Sequence, residues 1–194
     1  MKRIALIVLA TCGVLSLPVY AQSGAVKSGP QVGQRPLPFT SNLVTGPNRG
    51  KQHCYICELT DEPAVLVFAR KLDAPTGRVM RDLRDLVQAR RKDKFFGWFV
   101  FLSDHNTSAQ TETEAKVETF ARENGASNLP VSVLGDPLGP PGYVISPDAE
   151  VTVLFIRSRK TLANRAFRAG EWNESAASRV LKDASAVFGL QSLK

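Results

Sequence analysis

Cysteine is scarce in this sequence, and long apolar runs are scarcer. The 194 residues include three cysteines and two histidines. Beyond the first 21 residues no segment is long and apolar enough to span a membrane. No internal repeat is apparent. No aromatic-plus-basic motif of the kinds that read RNA or DNA is present. The surplus of Lys and Arg, 25 against 18 Asp and Glu, therefore points to mild attraction to anionic surfaces and not to nucleic-acid binding. Haem c attachment is excluded, because Glu58, not histidine, follows the second cysteine of the C-x-x-C. What remains is ordinary globular composition, 43% hydrophobic and 22% charged. A chain of this length buries most of its apolar surface, so it needs neither a metal nor a disulfide to fold.

The first 21 residues read as a secretory signal. Lys2 and Arg3 form a positive start, Ile4 to Leu17 an apolar stretch, and Val19-Tyr20-Ala21 a small-residue cleavage site. Leu9-Ala10-Thr11-Cys12 hints at a lipoprotein box. It comes early, however, and Thr11 is a poor residue before the cysteine. Removing the leader takes Lys2 and Arg3 from the formal charge of +7 and leaves Cys54 and Cys57 as the cysteines of the mature chain. The expectation is an exported protein, periplasmic or extracellular, in a disulfide-permissive compartment. Residues 22–31 are rich in Gly, Ser and small residues and read as a linker, so the expected domain is 32–194.

From Val32 the pattern is periodic. Phe39 to Val44 reads as a strand, 45–50 as a turn, and Lys51 to Cys57 as the returning arm of a hairpin. Ala64 to Ala69 and Phe95 to Leu102 are continuous apolar runs, as in strands buried on both faces. Between them, Gly77 to Lys94 carries Val79, Leu83, Leu86, Val87 and Arg90 at helical spacing on one face, with charges on the other. Thr111 and Glu114 fit a capping box for a helix ending near Asn124, with Gly125 as its stop. Val131 to Leu134 reads as a strand and 135–147 as loop. Val151–Arg157 and Thr161–Phe167 flank a tight turn, and Asn173 is placed to cap a last helix. This order predicts an α/β fold with a mixed central sheet flanked by helices and an N-terminal β-hairpin.

The order, together with three motifs, resembles the thioredoxin-like superfamily in its redoxin and peroxiredoxin branch. Val32-Gly33-Gln34-Arg35-Pro36-Leu37-Pro38-Phe39-Thr40 resembles the redoxin opening. Glu62 to Phe68 resembles the strand that leads into the active site, and Asp148 to Phe167 the closing hairpin. The resemblance implies a reactive cysteine just after Phe68, where a helix N-terminus lowers its pKa. Residues 69–77 contain none. Asp73 or Ala74 stands in its place, and Ala74-Pro75-Thr76 resembles a peroxiredoxin Cys-Pro-Thr without its cysteine. The substrate-pairing cis-proline of thioredoxins is also missing, with Val151-Thr152 at the matching position.

Chemistry then falls to Cys54-Tyr55-Ile56-Cys57, before the strand and not after it. The spacing admits a structural disulfide or inert thiols, a thiol–disulfide exchange site, or part of a metal site that includes His53 or His105. Ends of an extended i to i+3 pair point to opposite faces, so a bond between them requires a local turn. No helix is expected there, and nearby acids raise a thiol pKa. Arg90 to Lys94 reads as the solvated cationic end of a helix, and Trp98 as core. Ser103-Asp104-His105 reads as loop, and Asn106 and Asn173 begin glycosylation sequons. The function expected is a binding or structural module without standard peroxidase or thioredoxin chemistry. The alternative is a thiol–disulfide oxidoreductase in which Cys54 and Cys57 are catalytic. No cofactor or metal is called for, and the partner is an unidentified protein or a thiol substrate.

Overall fold

The computed structural model describes residues 26–104, 107–182 and 184–190. The signal at 1–21 with Cys12, and His105 and Asn106, lie outside the described residues. Seven strands form one sheet in the order β2-β1-β5-β4-β3-β6-β7. They are β1 Ser41–Thr45, β2 Gln52–His53, β3 Ala64–Ala69, β4 Phe96–Leu102, β5 Val131–Leu134, β6 Ala149–Arg157 and β7 Lys160–Arg168. β3, β4 and β5 are parallel, whereas β1, β6 and β7 join antiparallel. This is the mixed α/β sheet that the run of apolar segments implies.

The parallel strands are joined by α2 (Ala74–Ala89) and α3 (Thr107–Glu123). Both crossovers step the same way across the sheet, so helices of the same hand lie on the same face. Val79, Met80 and Leu83 of α2 and Val117 and Ala121 of α3 pack there on Val65, Val67, Phe99 and Val131. Two short helices, α4 (Glu174–Val180) and α5 (Ala184–Phe188), complete that layer. The alternate strand residues, Leu66, Phe68, Trp98, Val100, Leu154 and Ile156, face the other way. They are covered by Phe39, by Tyr55, Ile56 and Leu59, and by Tyr143 and Ile145 of the long loop. Phe39 stacks on Trp98 at 4.6 Å, and Tyr55 meets the same indole edge-on at 5.1 Å.

Several boundaries differ from the sequence expectation. α2 begins at Ala74, because Asp73 caps it and Pro75 suits a first turn. It ends at Ala89; Arg91–Asp93 is a 3₁₀ turn closed by Lys94 in the left-handed region at φ 50°. Arg90 is buried and within 3.5 Å of Asp93, so it is not part of a solvated cationic end. α3 begins one turn early, at Thr107, leaving Thr111 and Glu114 inside the helix. Glu114 instead accepts from the side-chain amides of Asn42 and Gln110. The last helix is two short pieces, although Asn173 does cap it by accepting from the Ala176 amide. The returning arm of the hairpin is only two residues, and Tyr55–Glu58 is a single helical turn, α1. Part of the expected linker is docked. Ser28 is buried against Thr152 with hydroxyls 2.6 Å apart, and Asn164 donates to the Ser28 and Pro30 carbonyls.

Two outcomes test this packing. A Cβ at Gly97 would lie 2.5 Å from Val87 and 2.9 Å from Leu83, so β4 and α2 approach too closely for any side chain. Gly97→Ala should cost about 1–3 kcal/mol by urea denaturation. On the second face, Tyr143 donates to the Leu37 carbonyl at 2.8 Å, and burial holds its phenol well above the ordinary pKa of 10.0. The neutral phenol is thus favoured in the folded state. That stability is fully present below pH 10 and is lost as pH rises beyond it, while the unfolded phenol ionises. Tyr143→Phe should lower stability by about 1 kcal/mol at neutral pH. It should also flatten the decline in urea midpoint between pH 9 and 11.

Candidate functional site

The carboxyl ends of β3 and β4 carry no sulfur. Ala69 leads to Arg70, whose Nε donates to the Ala149 carbonyl at 2.9 Å and whose Nη2 donates to that of Ser146 at 3.0 Å. Burial lowers the Arg70 pKa from its usual value, though the guanidinium stays charged. Lys71 pairs with the buried Glu150 at 2.8 Å, and that bond raises the Lys71 pKa. Asp73 then accepts the Thr76 amide at 3.0 Å as the N-cap of α2. A thiolate at a helix start is stabilised by this same kind of donor, so a carboxylate satisfies the backbone where a nucleophile would be. Thr76 is fully buried and accepts from the Trp172 indole at 3.1 Å. The edge is stitched shut by ion pairs and caps. At the matching proline position, Thr152 is buried under Ser28, and no peptide bond among the described residues is cis.

Cys54 and Cys57 are joined by a disulfide, with Cα atoms 5.4 Å apart. The local turn that an i to i+3 bond requires is α1. It was not foreseen, because four residues are too few to show a helical period. Cys54 is its N-cap, and the Cys54 sulfur accepts the Cys57 amide at 3.2 Å. The two sulfurs are unequal, for Cys57 is exposed and Cys54 half-buried. Between them Tyr55 and Ile56 point into the second core face. Burial raises the Tyr55 phenol pKa, and the neighbouring Glu58 adds to this, so Tyr55 stays neutral. His53 Nε2 lies 2.9 Å from Glu58 Oε1, which ties the residues before and after the pair together. The His53 ring also meets Tyr55 at 4.3 Å.

The pair is far along the sheet from Asp73. Leu59, two residues after Cys57, accepts from Arg159 Nε at 2.9 Å. Arg159 belongs to the β6–β7 turn, which adjoins the amino end of β3 where Ala64 faces Ile156. The sequence singled out Cys54 and Cys57 together, and the structure brings them together; His105 lies outside the described residues. Among the described residues, no group of three or more His, Cys, Asp or Glu is placed to hold a metal. Among the same residues no helix is long and apolar enough to cross a membrane. The cationic run after α2 lines a separate cavity of about 370 Å³, with Arg84, Arg91 and Lys94 over Phe95 and Pro130.

Glu62 anchors the loop between α1 and β3. Its carboxylate accepts the Thr60 amide and hydroxyl, both at 2.8 Å, and these bonds lower its pKa to about 2. The loop that follows the cysteines is therefore ordered by its own side chains. The disulfide rests between this anchored loop and the short hairpin of β1 and β2.

No family model matches the chain, and no curated protein matches it. Solved structures do. Peroxidoxin BcpB from Mycobacterium tuberculosis is similar over 84% of this chain and 99% of that one, at 18% identity and a TM-score of 0.57. A candidate thiol:disulfide interchange protein DsbE from Chlorobium tepidum is similar over 82% and 99%, at 14% identity and a TM-score of 0.59. The reduced 2-Cys peroxiredoxin of Plasmodium vivax is similar over 80% and 81%, at 12% identity and a TM-score of 0.52. At such identities the likeness is one of fold, and it agrees with the sheet order, the crossovers and the closing hairpin. The chain has the thioredoxin-like fold, with the capping carboxylate of Asp73 at the start of the helix that follows β3.

Proposed function

We propose that this chain is an exported thioredoxin-fold protein that exchanges disulfides with thiols through Cys54 and Cys57. The observation that carries this reading is the inequality of the two sulfurs. Cys57 is exposed to an incoming thiolate, whereas Cys54 is half-buried and already accepts a backbone N–H. Exchange is fastest when the attacked sulfur is accessible and the leaving thiolate is stabilised. Attack on Cys57 Sγ forms a mixed disulfide and breaks the Cys54–Cys57 bond, whose electron pair leaves on Cys54 Sγ. The Cys57 amide stands ready for that thiolate. A second thiolate of the partner then attacks the partner's own sulfur and releases Cys57. The partner ends oxidised by two electrons, and the pair ends reduced. Glu58 is the acid nearest a thiolate here, and its Oε1 lies 2.9 Å from His53 Nε2. The signal-like leader supports a compartment in which both redox states occur.

One observation favours a second reading, the binding or structural module. Tyr55 and Ile56, enclosed by the disulfide, are both buried on the second core face. In that reading the bond is a staple for this part of the cover and is not exchanged.

Equilibration against glutathione or dithiothreitol, with alkylation and mass spectrometry, separates the two. The exchange reading expects reversible reduction at a potential between about −270 and −120 mV. It also expects insulin reduction that is lost in both Cys54→Ser and Cys57→Ser. A potential below about −300 mV, with no insulin reduction, rejects exchange and leaves the staple. Removing the pair should then lower stability by about 2 kcal/mol, as a four-residue ring implies.

A further inference from the structure

We infer that the thiols served by Cys57 are acidic ones, carrying a carboxylate beside the sulfur, and that Arg35 and Arg159 select them. The inference rests on the exchange reading and adds a substrate class to it. Cys57 forms part of the wall of a surface hollow of about 160 Å³, shared with Arg35, Pro36, Pro38, Ile56 and Arg159. Both charged side chains in that wall are positive. At about 30 Å³ per water-sized group the hollow takes some five such groups. That is room for the acidic arm of a small thiol or of a residue next to a peptide cysteine.

The Arg159 side chain is held in place, and Arg35 extends from an anchored strap. Ser158 and Arg159 occupy the left-handed region, at φ 50° and 57°, in a two-residue hairpin turn. Such turns favour Asn-Gly, and a bulky side chain with φ above zero is strained. Here the turn carries an arginine all the same, and Arg159 Nε donates to the Leu59 carbonyl two residues from Cys57. One bond fixes the guanidinium, and its two terminal nitrogens stand outside that bond. Arg35 is exposed, and it extends from a strap pinned to the start of β7. Gly33 donates to the Thr161 carbonyl at 2.8 Å, Thr161 donates back to Gln34 at 2.9 Å, and Pro36 is buried. The acid adjoining Cys57, Glu58, is not part of the wall of the hollow.

In this arrangement the carboxylate of the substrate sits between the guanidiniums while its thiolate attacks Cys57 Sγ. The substrate sulfur joins Cys57 and the displaced electron pair remains on Cys54 Sγ, as above.

The test is the rate of reduction of the native disulfide by three small thiols at low ionic strength. These are 3-mercaptopropionate (anionic), 2-mercaptoethanol (neutral) and cysteamine (cationic). Rates are read by acid quench, alkylation and mass spectrometry. Each thiol is compared with itself between proteins, so that intrinsic reactivity cancels. Arg35→Glu with Arg159→Glu should slow 3-mercaptopropionate by on the order of tenfold. It should leave 2-mercaptoethanol within about twofold and speed cysteamine, with all contrasts shrinking in high salt. Arg122→Glu with Lys182→Glu makes the same change of net charge away from the hollow and should reproduce none of this. Arg35→Glu alone, on the exposed strap, gives the same ratios at smaller size if the double variant does not fold. Unchanged ratios, with 2-mercaptoethanol still reducing the native protein, overturn the acidic-thiol inference and leave exchange standing. Failure of every thiol to reduce the native disulfide overturns both.

Discussion

The constraint on which this structure depends is that both long crossover helices lie on one face of the sheet. A sheet buried on one side still presents Leu66, Phe68, Trp98, Val100 and Leu154 on the other. Exposed, these side chains would form an apolar patch of the sort that folded chains bury. Among the described residues no long helix covers them. The cover is assembled from irregular chain: the segment through Phe39, the turn from Tyr55 to Leu59, and the loop carrying Tyr143 and Ile145. Each piece brings one or two large side chains, and the aromatic ones meet around Trp98 and Phe68. Phe39 stacks on the indole, Tyr55 and Tyr143 approach edge-on, and His53 extends the chain of rings to the disulfide.

This explains why the cysteines lie where they do. Irregular chain on a sheet face must satisfy its own backbone groups and resist fraying, since it has no ladder or long helix to hold it. In the α1 turn, a sulfur caps the Cys57 amide, Thr60 and Glu62 bond across the next loop, and Arg159 takes the Leu59 carbonyl. A disulfide fits that set of local ties. The same placement leaves Cys57 outward while Tyr55 and Ile56 go inward, because adjacent helical positions face different ways. Structural and redox readings therefore share one geometry, in which Cys57 is exposed and Cys54 half-buried.

The usual redoxin edge shows the converse. There the helix start still needs an acceptor for its first amides, and Asp73 supplies one. Arg70, Lys71 and Glu150 then bind the neighbouring loop to β6, which fills the edge with internal bonds. An edge whose polar groups are already paired offers little to a substrate backbone.

How much of this could be read from the residues follows from the length over which each signal acts. The long apolar runs 64–69 and 95–102 declare the central strands, because burial on both faces leaves a strong mark, and the paired runs either side of 158–160 declare the closing hairpin. The empty position after Phe68 is also legible, since it needs only the absence of one residue type. What stays hidden is decided at short range or by distant partners. The α1 turn has four residues, too few for a period. The early start of α3 defeats an otherwise sound capping box at Thr111, because Asn42 and Gln110 claim Glu114. The docking of Ser28 depends on Thr152 and Asn164, well over a hundred residues away. The convergence of Arg35, Cys57 and Arg159 on one hollow depends on the path of the strap along β7. No spacing in the chain encodes it, for it arises when three separate pieces of cover close over the face opposite α2 and α3.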